Sequence, residues 1–164
     1  MPVNDRPWAN ITMYYRALLV LWICLVITVT TYPWTHFTSI VQWHRINWIP
    51  FRGVPILLGD IALNTLLFVP VGFLFVVASR HPQDSKRVVV AVLLSLGLSV
   101  MVEVIQGFNL VRFPSMTDVI FNVVGGGLGS LAGLWGIKQI RQAKIPATFL
   151  SHGASSRSSK PTEF

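Results

Sequence analysis

Charge is scarce in this chain. Only 12% of its 164 residues are Asp, Glu, Lys or Arg, against roughly 25% in an average soluble domain. That is too little to cover a water-facing surface. The deficit is also uneven: between positions 88 and 137 the only ionisable side chains are Glu103, Arg112 and Asp118. Cysteine is almost absent too. Cys24 is the single thiol, so an intrachain disulfide is impossible and a thiolate metal site lacks ligands. Acidic residues number 6 against 13 basic ones, a net charge of +7. A basic balance can signal nucleic-acid binding. Here the basic residues form short clusters between apolar runs, which is a footprint of membrane topology, and no nucleic-acid partner is expected. With 52% hydrophobic residues and a mean hydropathy of +0.60, these absences exclude an ordinary soluble domain, a disordered chain and a disulfide scaffold. They point to a small polytopic membrane protein.

A spanning helix needs about 20 mostly apolar residues. Four such runs are present, at about 15–32, 59–79, 88–108 and 118–137. Pro33 stops the first, and its flank lacks an A-x-A-like cleavage site, so it reads as an uncleaved anchor. The expected fold is an all-α membrane protein, a four-transmembrane-helix bundle. Orientation follows from Lys and Arg. Arg6, Arg16, Arg80, Lys86, Arg87, Lys138, Arg141, Lys144, Arg157 and Lys160 fall on one side, against Arg45, Arg52 and Arg112 on the other. Both termini are therefore expected in the cytoplasm, with the loops at 33–58 and 109–117 outside. The first of these loops carries Trp34, Phe37, Trp43, Trp48 and Phe51, an aromatic belt suited to the headgroup region. Residues 1–144 form the expected transmembrane domain, and 145–164, rich in serine, read as a disordered cytoplasmic tail.

Each ionisable residue at a helix centre costs about 2.5–3.5 kcal/mol on insertion scales, so those inside the spans carry information. On the second span Asp60 and Asn64 share a face. Pro70 should kink that helix and free a carbonyl, and Gly72 leaves room for a neighbour. On the third, Ser95, Ser99, Glu103 and Gln106 fall within an arc of roughly 80°. On the fourth, Asp118 and Asn122 share a face near the helix N-terminus, where negative charge is favoured. Gly125, Gly129 and Gly133 continue as a ridge of small residues, the kind that lets helices approach closely. That ridge is the expected face for a homo-oligomer. Arg112 lies in the short loop between the last two spans. Packed together, Asp60, Asn64, Glu103, Gln106, Arg112, Asp118 and Asn122 converge on an outward-opening polar pocket, the expected ligand-binding set. Within it Glu103, Arg112 and Asp118 are the candidates for catalysis. Asn64, Asn122 and Ser99 also fit plain interhelical hydrogen bonding, worth around 0.6 kcal/mol each. No histidine lies in the spans, and neither metal nor cofactor is expected.

These residues carry a resemblance. Asn64-Thr65-Leu66-Leu67-Phe68-Val69-Pro70-Val71-Gly72-Phe73 resembles the N-x-x-x-F-x-P-x-G element of the VanZ-like family of bacterial membrane proteins. Glu103-x-x-Gln106, then Arg112, then Asp118-x-x-x-Asn122-x-x-Gly125 is similar to that family's E-x-x-Q…R…D-x-x-x-N-x-x-G signature. The likeness covers roughly residues 60–133. Between the arginine and the aspartate, family members often carry further acids; here Ser115 and Thr117 stand there. The resemblance implies a protein of the bacterial inner membrane and cell envelope. The family's founding member is associated with low-level resistance to the glycopeptide teicoplanin. Beyond a transporter or flippase, which four helices would support only as an oligomer, two functional classes stay open on the residues. One is a binding protein for a membrane lipid or other lipid-linked or amphiphilic ligand, with Arg112 engaging an anionic headgroup. The other is an intramembrane enzyme acting on a lipid-linked envelope substrate at the outer leaflet, with Glu103 as general acid or base and Arg112 stabilising an oxyanion.

Overall fold

The computed structural model describes residues 6–52, 58–79 and 84–155. Arg80 of the basic loop and tail residues 156–164 lie outside them. Four helices follow in order: α1 Arg6–Thr31, α2 Leu58–Val77, α3 Lys86–Gly107 and α4 Met116–Ser155, with a 3₁₀ turn at Trp43–Arg45 between the first two. No strand occurs among the described residues, only two isolated bridges. The apolar stretches Ile11–Thr31, Leu58–Val77, Lys86–Gly107 and Met116–Ile140 have mean hydropathies of 1.9, 2.1, 2.6 and 1.4. Each is long and apolar enough to cross a membrane, since 20 residues of helix reach about 30 Å. The all-α, four-span architecture expected from hydropathy is thus present. α4 stays helical to Ser155, past 137, where its apolar run ends.

The glycines set how the helices meet. A β-carbon added at Gly129 would lie 1.8 Å from the Val69 carbonyl oxygen, and one at Gly125 would lie 2.2 Å from that of Thr65. Gly72 of α2 returns the approach, its missing β-carbon 1.9 Å from the Gly126 carbonyl oxygen. α2 and α4 therefore pack backbone to backbone, as small residues permit in lipid. The Gly125, Gly129 and Gly133 ridge thus packs on α2 of the same chain. α3 closes on the neighbouring face of α4, with Ser95 standing where a β-carbon on Gly126 would be.

α1 is the outermost helix. It lays Leu19, Trp22, Ile23 and Val26 against Phe68 and Val71 of α2 and Leu98 of α3. Pro70 lies inside α2 and has no N–H to give the preceding turn. In that turn the Trp22 indole donates to the Leu67 carbonyl at 2.9 Å. A neighbouring helix is a usual source of such a donor at a membrane proline. At the opposite end, Val76, Ala91 and Leu134 close a second apolar cluster with Phe75, Val88 and Ile137.

Candidate functional site

Helix ends leave backbone groups without helical partners, and in a membrane protein those groups must be answered by protein or water. Here residues 32–52 answer them and form a cap over one end of the bundle. At the end of α3, the Gly107 carbonyl accepts from the Gln42 N–H and the Phe108 carbonyl from that of Thr38, both at 2.8 Å. At the start of α4, the Met116 N–H donates to the Asn47 carbonyl at 3.0 Å. Ser115 caps the same helix by accepting the Thr117 N–H at 3.2 Å. Thr117 in turn accepts the Phe51 N–H at 2.9 Å, and the Phe51 ring meets Phe121 edge-on. These contacts hold Phe51 at a φ of 62°, in a region non-glycine residues seldom enter.

Asn109 is the knot of the cap. It is 1% exposed and donates to the carbonyls of Pro33 at 2.7 Å and Thr35 at 3.3 Å. Its side-chain oxygen accepts the Val111 N–H at 2.9 Å. The aromatics expected in this segment face outward: Trp34, Trp43, Trp48 and Phe51 are all exposed, and Trp43 stacks on Trp48. The cap thus turns its backbone to the helix ends and its rings outward.

Beneath it lies a cavity of about 350 Å³. Five of the seven expected ligand-binding residues line it: Asp60 and Asn64 from α2, Gln106 from α3, Arg112 from the α3–α4 loop and Asp118 from α4. Gln106 and Arg112 also converge on one acceptor. Both donate to the Thr30 carbonyl, at 2.8 and 2.9 Å, in the last turn of α1. Asp118 lies in the field of Asp60 and of Arg112, with the Asn64 side chain as hydrogen-bond partner.

The other two expected residues stand outside the cavity wall. Glu103 is buried, and its carboxylate accepts the Ser115 N–H at 2.8 Å, within the field of Asp118 and Arg112. Asn122 turns to α3 and donates to Ser99 Oγ at 2.8 Å, which is the interhelical bond its spacing allowed. Among the described residues no three His, Cys, Asp or Glu side chains are placed to hold a metal ion.

The structure adds residues that spacing had not offered. Arg45, Asn47, Ser115 and Thr117 complete the polar wall. Arg45 stacks on Phe113, its guanidinium carbon 4.4 Å from the ring centre, and donates to the Leu110 carbonyl. In the sequence Arg45 counted only toward topology. Its signal was its side, because an arginine in an outer loop runs against the positive-inside rule. The hydroxyls of Ser115 and Thr117, standing where relatives often carry acids, serve α4 capping and the Phe51 contact. A known family's model, described as VanZ/LLP1, matches residues 16–137, well over half of the chain. No curated protein and no solved structure matches it.

Proposed function

This chain belongs to the VanZ/LLP1 family, and on that premise we propose that it is a cell-envelope protein of the bacterial inner membrane that binds the polar end of a lipid-linked or amphiphilic ligand. The ligand enters an outward-facing pocket, while both termini lie in the cytoplasm. The observation that carries this reading is the capped cavity, in which Asp60, Asn64, Gln106, Arg112 and Asp118 meet at one end of an apolar bundle. Arg112 supplies a planar fork of donors for an anionic group, and the aspartates and amides accept or donate to the rest of the headgroup. An enzymatic reading with Glu103 as general acid or base is weaker. Its carboxylate is engaged by the Ser115 N–H and lies outside the cavity wall, away from where a substrate would sit. The pocket's level in the membrane is where an acylated glycopeptide would insert, so expression of the protein is expected to alter teicoplanin susceptibility.

Native mass spectrometry of the protein extracted from membranes tests this. Wild type should retain an amphiphile that Arg112→Gln retains about tenfold less, the order expected for one charge-assisted contact. Unchanged retention together with unchanged teicoplanin susceptibility rejects the reading. Orientation has its own check in a Cys24→Ser background. Ser39→Cys in the cap should react with a membrane-impermeant thiol reagent in intact cells, whereas Ser85→Cys, before α3, should react only after lysis. Both positions are exposed on the protein. The reverse pattern puts the pocket on the cytoplasmic side.

A further inference from the structure

The cavity wall holds charges of both signs that do not pair with each other. Arg45 and Arg112 line it, and so do Asp60 and Asp118. Among the described residues neither arginine forms an ion pair with either aspartate. Each charge is held in place by something else. Arg45 lies over Phe113 and gives one donor to Leu110. Arg112 gives one to the end of α1. Asp118 is held by Asn64 and sits in the first turn of α4. A guanidinium carries five N–H donors in a rigid fork, so most of both forks lack a protein partner among the described residues. Opposite charges that form no ion pair in one small cavity leave it groups for both an anion and a cation. A simple anion or a simple cation meets one kind and is repelled by the other. A ligand bearing both charges satisfies both.

Size and chemistry narrow the ligand further. About 350 Å³ is near the lower end of the roughly 300–1,000 Å³ of small-molecule sites. It is large enough for a lipid headgroup. The aspartates accept hydrogen bonds, which a primary ammonium can give and a quaternary one cannot. The aromatic that a quaternary ammonium would seek, Phe113, already has a face covered by Arg45. The exposed Trp43–Trp48 stack on the cap belongs at headgroup depth, which favours a ligand presented by a bilayer.

Resting on the pocket-binding reading above, we infer that the ligand is a zwitterionic aminophospholipid. Its phosphate lies between Arg45 and Arg112, and its primary ammonium is received by Asp60 and Asp118. Arg45 is then a phosphate-binding residue contributed by the cap.

Purified protein in detergent micelles is titrated, by native mass spectrometry, with phosphatidylethanolamine, phosphatidylcholine, phosphatidylglycerol and free glycerophosphoethanolamine. Wild type should bind phosphatidylethanolamine about tenfold more tightly than the other two lipids, and the free headgroup more weakly than the lipid. Arg45→Gln should weaken phosphatidylethanolamine and phosphatidylglycerol together. Asp60→Asn should erase the ethanolamine preference while leaving phosphatidylglycerol binding at least as tight. Asp60 is exposed, so this variant should keep the wild-type melting temperature and fold. Equal binding of the three lipids, or a preference that survives Asp60→Asn, overturns the inference. So does a free headgroup that binds as tightly as the lipid. If Arg112-dependent lipid binding persists without the preference, only this inference falls. If no lipid binds in an Arg112-dependent way, the pocket reading falls with it.

Discussion

Gly129→Ala is expected to destabilise the bundle strongly, although it adds only one methyl group. The new β-carbon would lie 1.8 Å from the Val69 carbonyl oxygen and 3.0 Å from the Phe73 backbone nitrogen. Both are backbone atoms of a helix and cannot swing aside as a side-chain tip can, so α2 and α4 must separate along their whole contact. Overpacking a well-packed core costs typically 1–3 kcal/mol and sometimes more. A clash with helix backbone belongs at or beyond the top of that range, about 3 kcal/mol. Total stabilities are only about 5–15 kcal/mol. Separating α2 from α4 also parts Asp60 and Asn64 from Asp118, so ligand retention should go with stability. The control is Gly97→Ala on α3, where an added β-carbon meets nothing within 4 Å. There alanine should help by about 0.5–1 kcal/mol, because glycine loses more chain entropy in a helix. Thermal unfolding and monodispersity in detergent read both variants. Equal melting temperatures would refute the backbone-contact account.

Asn109→Leu should detach the cap while leaving the helices assembled. The asparagine is buried and its side chain makes three hydrogen bonds, to Pro33, Thr35 and Val111. Leucine fills a similar volume but leaves those partly buried backbone groups without this partner. A typical bond contributes about 1 kcal/mol, and a buried unsatisfied partner costs about 1–3 kcal/mol, so a loss of roughly 2–4 kcal/mol local to the cap is expected. Limited proteolysis of the purified protein should then cut within 32–52 much faster than in wild type. The cavity, losing Arg45 and Asn47 from its wall, should release its ligand. Asn109→Asp keeps the acceptor for Val111 and loses both donors, so it should fall between the two. Wild-type proteolysis rates in Asn109→Leu would show that the remaining cap bonds suffice without this residue.

Much of the site was readable because helical spacing fixes which side chains share a face. Asp60 with Asn64, and Gln106 on the polar arc of α3, follow from period alone, and Arg112 from the brevity of its loop. Other residues were not readable in this way. Glu103 has the right spacing, yet its partner is the Ser115 N–H. Which polar neighbour a buried group takes depends on the depth and rotation of two helices at once. Asn109 sits in a short turn with no periodicity to mark it, and its importance arises from chain 74 and 76 residues away.

By itself, the sequence determined that this protein lives in a membrane, how many helices it has, and which few polar groups survive among them. Those properties are local: apolar length, helical period and the scarcity of charge are written residue by residue. The tertiary structure alone decided three things. The glycine ridge packs on α2 of the same chain. Residues 32–52 fold back onto the ends of α3 and α4. Arg45 and Arg112 line one cavity with Asp60 and Asp118. Each of these depends on contacts between distant segments, where many pairings share the same local pattern. Close backbone approach and the need to satisfy every helix-end hydrogen bond select one of them.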